Sequence, residues 1–422
     1  MNYSSSALRQ IANYSPLDIL LADVAVRVQL APTDYQTAID HYEAMSAWLD
    51  RSGSPLEGKV LEFYPQGGFA IGATVARHSS TSDFDIDVIA QIDWPASIDP
   101  ELALSTLHDA IASVKGTRYH DKTDRKTRCS TVTYATMHLD VTPVVRTWGR
   151  NEKTSYIFHS KPSAASDRKK TLLANPFGFA QWFNGMTPPD TAFGEFFERR
   201  SLDYNRLLFD AKAETAPVPD LMPAYRKSRA VIALQLIKRW RNILYDRLYP
   251  NLRLPPSVML AHFVALHANQ TDTLADELIH QVDGLRSIIN AAEANNRPIH
   301  AHNEMCHEDI FTDRWPGDLS NQRIFLKELD AFAVDLRVMR DGGLSLAEML
   351  KVLEKLFGEK PARDAYEGFI RQQRDDLFAG KNVHIPKVGA IAALGSLAAP
   401  ASARATPHHT DFGDPKFGPV RR

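Results

Sequence analysis

The sequence predicts an α+β protein with two lobes, a mixed β-sheet with helices followed by an α-helical lobe. Three observations predict this division. Stretches in which polar and apolar residues alternate, as they do in half-buried strands, fall between Val60 and Val145. Several prolines interrupt residues 186–225, and helical periodicity dominates beyond them. The length of 422 residues is sufficient for two hydrophobic cores.

The composition resembles that of an ordinary soluble protein, with 44% hydrophobic and 24% charged residues. The net charge of −2 gives no general attraction to nucleic acid, so any contact with a polyanion has to be local. Two cysteines, Cys129 and Cys306, are too few for a disulfide framework and suit a reducing compartment. We see neither a signal peptide nor an apolar run as long as a membrane span. We therefore expect a cytoplasmic protein that contacts no membrane.

The first elements follow from periodicity and from residues that end helices. The apolar patch Leu17–Leu30 is expected to form a short helix, and a longer helix begins after Pro32. Ser-Gly-Ser-Pro at residues 52–55 ends the second helix. Val60–Tyr64 is a short strand, and Asp99 is placed to cap a helix that has a proline at its first position.

The helical part is predicted from apolar residues that recur at helical spacing. An aromatic-rich helix at Asn175–Phe183 is expected to close the back of the sheet lobe. Further helices are predicted at Phe193–Phe209, Arg226–Tyr249, Ser257–Ala268, Thr273–Ala294, Leu319–Met339, Leu346–Phe357 and Ala362–Leu377. From residue 385 the chain is rich in Ala, Gly, Pro and Ser and has too little apolar surface for a core of its own.

The stretch that suggests a function is the strand Phe84–Val88, which reads F-D-I-D-V. Side chains alternate along a strand, so Asp85 and Asp87 share one face with Asp83, and the apolar residues share the other. Carboxylates crowded on one face repel one another, and a divalent cation removes that repulsion. The same pattern also occurs on solvated strand faces, so on its own it remains ambiguous.

A pair of glycines precedes this strand. Gly67 and Gly68 allow the backbone to approach a phosphate closely and to direct N–H groups toward it. Mg²⁺ prefers one or two carboxylates together with substrate phosphates as ligands. The glycines and the aspartates together therefore predict a site for a metal and a triphosphate.

A third carboxylate is expected to join the pair. Asp140 lies at the start of a strand that runs to Val145, after the alternating run Ser130–Tyr134 and a short turn. A hairpin placed beside the first strand would bring Asp140 up to Asp85 and Asp87. Three convergent carboxylates are what a two-metal phosphoryl or nucleotidyl transfer requires.

This pattern resembles the polymerase-β-type nucleotidyltransferases, which have a Gly-Gly or Gly-Ser turn, an h-D-h-D-h strand and a later h-D-h segment. Within them it most resembles the bacterial cyclic-GMP-AMP-synthase-like nucleotidyltransferases (CD-NTases) of anti-phage CBASS systems. Three further segments are similar to that family: ANPFGFAQWF at Ala174–Phe183, SRAVIALQLIKRWR at Ser228–Arg241 and HEDIFTDRW at His307–Trp315. The resemblance extends from Tyr64 to Met339.

The resemblance implies a bilobed polymerase-β-like core and an enzyme that uses NTPs, with ATP expected among them. Two Mg²⁺ ions, with Mn²⁺ as an alternative, would be held by Asp85, Asp87 and Asp140. Lys238 would neutralise charge on the triphosphate. The implied product is a cyclic di- or trinucleotide second messenger for anti-phage defence. A regulatory protein from the same operon is an expected partner, and the resemblance does not specify a nucleic-acid activator.

One position departs from the family pattern. The family commonly has Ser where this chain has Gly68, so a hydroxyl contact to phosphate or metal is absent. Thr74, in the spacer that follows, is the candidate to supply a replacement hydroxyl.

We expect four parts in the chain. Residues 1–55 form an N-terminal segment with a helix that braces both lobes, and residues 56–190 form the catalytic core. Residues 191–384 form the helical lobe, and residues 385–422 form a flexible tail.

Two alternatives remain open on the sequence alone. A related nucleotidyltransferase could add nucleotides to an RNA end, a protein or a small molecule, because the fold does not define the acceptor. A catalytically silent scaffold is the other alternative, although all three aspartates are present.

Overall fold

The computed structural model describes residues 14–76, 84–161, 169–212, 227–269, 273–341 and 343–378, and three short segments, 382–385, 390–393 and 404–405. Within these ranges the chain forms a seven-stranded mixed sheet with its own helices, followed by a lobe of helices. The predicted fold class is therefore confirmed. None of the described helices is both long and apolar enough to cross a bilayer.

The sheet carries the aspartates. Its strands are β1 (Val60–Gln66), β2 (Phe84–Ile92), β3 (Thr123–Arg125), β4 (Ser130–Thr133), β5 (Met137–Arg146), β6 (Ser155–His159) and β7 (Lys170–Ala174). The strand order is β1-β2-β5-β4-β3, and β6 pairs with the second half of β5 and with β7. β2 and β5 are parallel, whereas β1, β4 and β6 pair with them antiparallel, which makes the sheet mixed.

A parallel pair needs a crossover, and helix α4 (Pro100–Ala112) lies in the connection between β2 and β5. Its start is as predicted, because the Asp99 carboxylate accepts hydrogen bonds from the N–H groups of Glu101 and Leu102 at 2.9 and 3.1 Å. Buried leucines and alanines of α4 then face the sheet.

The two helices expected near the N-terminus are both present. Helix α1 (Pro16–Val28) is buried on nearly all sides within the core of the helical lobe. Helix α2 (Pro32–Leu49) contributes Met45 and Leu49 to the core behind the sheet. Gln29–Ala31 separate the two helices, since proline is well placed at the start of a helix and cannot continue the preceding hydrogen bonds.

A four-residue helical turn, α3 (Gly67–Ala70), follows β1. The remaining helices are α5 (Pro176–Met186), α6 (Thr191–Lys212), α7 (Arg229–Leu248), α8 (Ser257–Leu266), α9 (Leu274–Ala294), α10 (Leu319–Asp341), α11 (Leu346–Phe357) and α12 (Glu359–Phe378). A short hairpin of β8 (His302–Asn303) and β9 (Cys306–Ile310) lies between α9 and α10. The helices predicted from periodicity are thus present, with ends shifted by a few residues.

The aromatic side chains of α5 pack in two places. Phe179 and Phe183 are buried in the large core of the helical lobe, and Phe177 packs against the sheet, with its ring centroid 6.1 Å from that of Tyr64. Three short strands, β10 (Asn382–Ile385), β11 (Ala390–Ala393) and β12 (Arg404–Ala405), pair in the C-terminal part of the chain, and the flexible tail expected there stays a prediction. Local composition predicts burial and flexibility, but it does not show which distant segment a face will meet.

Candidate active site

The register of two parallel strands brings the predicted carboxylates together. β2 and β5 place Asp87 directly opposite Asp140, and Asp85 opposite His138. β4 pairs antiparallel with β5, which is the hairpin expected from the sequence. Asp85 is exposed and the other two aspartates are partly buried. Asp83 lies outside the described residues.

Two of the three carboxylates, those of Asp87 and Asp140, have raised pKa values. Burial, together with the charges of Asp140 and Asp85, raises the pKa of Asp87 to about 7, and Lys238 opposes this shift. Burial also raises the pKa of Asp140, while a hydrogen bond from Thr131 lowers it. Negative charge therefore accumulates here beyond what the neighbouring cations neutralise.

This donor set fits divalent cations that also bind substrate. In the described part of the chain, no three His, Cys, Asp or Glu side chains are arranged to hold a metal ion by themselves. Mg²⁺ usually takes one or two carboxylates and completes its shell with water and phosphate oxygens. The crowded aspartates, with their raised pKa values, match that incomplete protein shell, and a cation would relieve their mutual repulsion.

The glycine turn packs directly against the aspartates. Gly67 has φ +59°, and a Cβ added there would lie 2.5 Å from Oδ2 of Asp87. The position therefore requires glycine both for its backbone conformation and for its close approach to a carboxylate. A Cβ on Gly68 would lie 3.1 Å from Nζ of Lys238. Both predicted glycines are thus adjacent to predicted site residues.

Lys238 reaches the turn from α7. Its Nζ donates a hydrogen bond to the carbonyl oxygen of Ala73 at 2.7 Å. Burial and the charge of Arg241 lower the pKa of Lys238, Asp87 and Asp85 raise it, and the net value is about 8. The side chain is buried yet remains within the electrostatic reach of the carboxylates.

The neighbouring cations of α7 hold backbone carbonyls instead. Arg239 donates to the carbonyl oxygens of Phe357 and Ala76 at 3.0 and 3.1 Å. Arg241 donates to the carbonyl oxygen of Pro255 at 2.6 Å. Arg239 thus ties α7 to the end of α11 and to the segment that follows the turn, and Arg241 ties it to the start of α8.

The candidate replacement hydroxyl lies beside the turn. Thr74 is buried, and its Oγ1 has no hydrogen-bond partner among the residues that the structure describes. Its backbone N and Cα are 3.4 Å from the position of a Cβ on Gly68, and its carbonyl oxygen accepts a hydrogen bond from Gln235 at 2.9 Å. A buried hydroxyl without a partner is costly, so the location suits a hydroxyl that meets a ligand.

Comparison with known proteins identifies the family. Residues 20–184 match the model of the Second Messenger Oligonucleotide or Dinucleotide Synthetase domain. The chain is 33% identical over 407 residues to the cyclic dinucleotide synthase CdnG of Bradyrhizobium diazoefficiens, covering 94% of this chain and 95% of that protein. This chain belongs to the CD-NTase family. The structure of the B. diazoefficiens CD-NTase CdnG in complex with GTP superposes with a TM-score of 0.72 at 32% identity, covering 84% of this chain and 98% of that one.

Two further side chains lie at the site of this CD-NTase, a nucleotidyltransferase by family, and the sequence patterns did not point to them. Thr131 donates a hydrogen bond from Oγ1 to Oδ1 of Asp140 at 2.5 Å. Gln66 faces Asp87 across β1 and β2, and its Nε2 donates to Oγ1 of Thr142 at 3.3 Å. The register of the predicted hairpin would have revealed Thr131, because it pairs with Asp140 and so shares its face.

Proposed function

We propose that this CD-NTase joins nucleoside triphosphates, ATP among them, into a cyclic di- or trinucleotide and releases pyrophosphate. The observation that carries the proposal is the convergence of Asp85, Asp87 and Asp140 beside a glycine turn and a buried lysine. The related CdnG is named as a cyclic dinucleotide synthase and was solved with GTP, which supports this product class and makes GTP a substrate to test.

Each site residue has a defined task in this proposal. Asp85 and Asp87 would hold two Mg²⁺ ions, with Mn²⁺ as an alternative, and Asp140 would hold one of them. Bound ions of this kind lower the pKa of an acceptor hydroxyl and neutralise charge on the triphosphate. Thr131 orients Asp140 through its hydrogen bond, which fixes one carboxylate oxygen.

The triphosphate would lie between the turn and α7. The backbone N–H groups of Gly67 and Gly68 would face its oxygens, and the hydroxyl of Thr74 would supply the contact that the family usually makes with a serine. Lys238 would balance the charge that leaves with pyrophosphate, and a nearby polyanion favours its protonated form. Catalysis is then mainly a matter of positioning and electrostatic stabilisation.

The test is a product assay. Purified protein is incubated with all four NTPs and Mg²⁺ or Mn²⁺, treated with phosphatase and analysed by mass spectrometry. Asp85→Asn/Asp87→Asn is compared with Asp93→Asn, a matched control at an exposed aspartate just beyond β2. We expect a phosphatase-resistant oligonucleotide from the wild type and the control, and none from the double variant. Phosphatase-sensitive linear products would support addition to an RNA end or another acceptor instead.

We further propose that the product is a signal in anti-phage defence and that a protein encoded in the same operon regulates its synthesis. Cells carrying the operon should plate phage less efficiently than cells carrying the Asp85→Asn/Asp87→Asn version. Equal plating on both strains would argue against the defence role without affecting the chemistry.

A further inference from the structure

An arginine cluster, formed by Arg128, Arg253 and Arg314, lies where β4 begins. Arg128 is in the tight turn between β3 and β4, in which the N–H of Lys126 donates to the carbonyl oxygen of Cys129 at 2.9 Å. Arg314 belongs to the segment between β9 and α10, and Arg253 to the segment between α7 and α8. The sheet lobe and the helical lobe thus both contribute to the arginine cluster.

The three guanidinium groups are close enough to interact electrostatically. Burial lowers the pKa of Arg314, the positive charges of Arg128 and Arg253 lower it further, and Asp313 raises it. Nε of Arg314 lies 3.9 Å from Oδ1 of Asp313, and Arg128 forms an ion pair with the same carboxylate. The carboxylate of Asp313 is therefore shared among several cations.

The other described neighbours of Arg128 add little negative charge. Asp309 lies within its electrostatic reach, but burial raises the pKa of Asp309, whose carboxylate accepts hydrogen bonds from Asn303 and from the N–H of Asn175. Nε of Arg128 donates to Nδ1 of His159 at 3.2 Å, a partner without negative charge. An excess of positive charge held in place by the fold suits a polyanion, and a triphosphate offers arginine several acceptor oxygens.

The arginine cluster is close to Asp140. Thr131 pairs with Asp140 across β4 and β5, and Cys129 precedes Thr131 by two residues. Burial raises the pKa of Cys129, and the charges of Asp140 and Asp87 raise it further. The charge of Cys129 also acts on the pKa of Arg314. Cys129 is thus within electrostatic reach of both the carboxylates and the arginine cluster.

The two sides of the proposed site can be assigned to two nucleotides. Gly67 and Lys238, which would hold the donor triphosphate, lie on the β1 side of Asp87. Asp140 lies on the other side, on β5, and β4 follows beyond it in the sheet. An acceptor hydroxyl at Asp140 would therefore belong to a nucleotide that extends toward the arginine cluster.

Ring closure requires an acceptor that carries a triphosphate. In the first step the acceptor hydroxyl oxygen bonds to the α-phosphorus of the donor, the α–β phosphoanhydride bond breaks, pyrophosphate leaves and the hydroxyl proton passes to water. The acceptor keeps its own 5′-triphosphate, and a later bond that closes the ring forms at that α-phosphorus with loss of another pyrophosphate. An acceptor with a 5′-monophosphate would give a linear product that cannot close.

We propose that Arg128, Arg253 and Arg314 bind the 5′-triphosphate of the acceptor nucleotide and thereby select acceptors that can later be cyclised. In the absence of this nucleotide, Asp313 pairs with Arg128 and Arg314, and the triphosphate competes with it for both. The role in acceptor selection rests on the proposed function. Binding of a triphosphate by the arginine cluster does not, and it can be measured without turnover.

The binding test is titration calorimetry of the full chain with inorganic tripolyphosphate in EDTA. Without a divalent cation the aspartates repel a polyanion, so the donor side contributes little. We expect saturable binding that Arg128→Gln/Arg314→Gln weakens about 100-fold, because two charge-assisted contacts are lost. Lys238→Gln and the matched control Arg371→Gln, at an exposed arginine of α12, should bind like the wild type. Unchanged binding by the double arginine variant would overturn the proposal.

Asp313→Asn tests the arginine cluster by a gain of binding. It removes the carboxylate that competes for Arg128 and Arg314, so tripolyphosphate should bind about threefold more tightly. Misfolding cannot produce tighter binding, so this variant decides the question even if the double arginine variant melts at a lower temperature. Weaker binding by Asp313→Asn protein that melts like the wild type would contradict the proposal.

Acceptor selection is tested with nucleoside monophosphates, which can accept but cannot donate because they have no pyrophosphate to lose. The wild type and Arg128→Gln/Arg314→Gln receive all four NTPs with and without monophosphates, and mass spectrometry measures cyclic products and linear products that begin with a 5′-monophosphate. We expect the double variant to use triphosphate acceptors about 100-fold less efficiently in kcat/KM, and monophosphate acceptors as efficiently as the wild type.

Equal losses for the two kinds of acceptor would overturn the role in selection, because a merely structural effect of the arginines would lower both. A wild-type enzyme that makes no product with any acceptor would count against the proposed function. Tripolyphosphate binding in EDTA would still decide whether the arginine cluster holds a triphosphate.

Discussion

Replacing Gly67 with alanine should reduce catalysis far more than it reduces stability. The residue has φ +59°, a conformation that costs a non-glycine residue about 1–2 kcal/mol. The new Cβ would also lie 2.5 Å from Oδ2 of Asp87. A normal contact between the two atoms needs roughly 3.5 Å, so the carboxylate has to retreat by about 1 Å. A displacement of that size at a reacting centre typically lowers kcat about 100-fold.

Gly58→Ala is the matched control. Gly58 has φ +68°, so alanine meets the same backbone strain, but a Cβ there has no atom within 4 Å. Both variants should therefore melt a few degrees below the wild type, and only Gly67→Ala should lose pyrophosphate release. Steady-state kinetics with Mg²⁺ and thermal unfolding measure the two effects. If Gly67→Ala keeps more than a third of the wild-type kcat, or if Gly58→Ala loses as much kcat as Gly67→Ala, contact with Asp87 is not what makes Gly67 necessary.

Three further outcomes are expected. Lys238→Gln should lower kcat on the order of 100-fold in the same assay, because it removes a charge aimed at the triphosphate; unchanged kcat would exclude that role. Thr74→Val should leave the melting temperature unchanged or slightly raised, since the hydroxyl has no partner among the described residues, and should lower kcat about tenfold. Gly68→Ser in that background should restore kcat, and full activity of Thr74→Val would show that the hydroxyl is not used. In metal-free protein, Asp87→Asn should raise the melting temperature at pH 8 but not near pH 4. The pKa of Asp87 is about 7 in the folded state and 3.8 in the unfolded state, so the wild-type protein loses stability as pH rises from the lower pKa to the higher one. Equal melting temperatures of the variant and the wild type at pH 8 would contradict this.

The convergence of the aspartates was predictable because it depends on local periodicity. Side chains alternate along β2, which places Asp85 and Asp87 on one face of that strand. A short turn between β4 and β5 is enough to form the hairpin that carries Asp140. The prediction also named Gly67 and Gly68, whose proximity to Asp87 and Lys238 the structure shows. The catalytic roles of all these residues remain predictions.

Other features depend on contacts that a sequence pattern does not specify. On an amphipathic helix, Lys238, Arg239 and Arg241 would ordinarily face solvent, yet all three are buried, because α7 is covered on every side by distant segments. Only the family resemblance singled out Lys238. The hydrogen bond from Nζ of Lys227 to Gln29 joins residues 198 apart in the chain, so no local pattern predicts it.

The burial of α1 in the helical lobe has a consequence for synthesis of the chain on the ribosome. Helix α1 is made early, yet it packs into the helical lobe, where Arg27 donates a hydrogen bond to the carbonyl oxygen of Asp364, 337 residues later. At about 5–20 residues per second, that partner emerges roughly 15 to 70 seconds after α1. During this interval the leucines and valines of α1 lack the core that buries them in the finished protein. Nascent chains halted before α12 should therefore be the species most prone to aggregate.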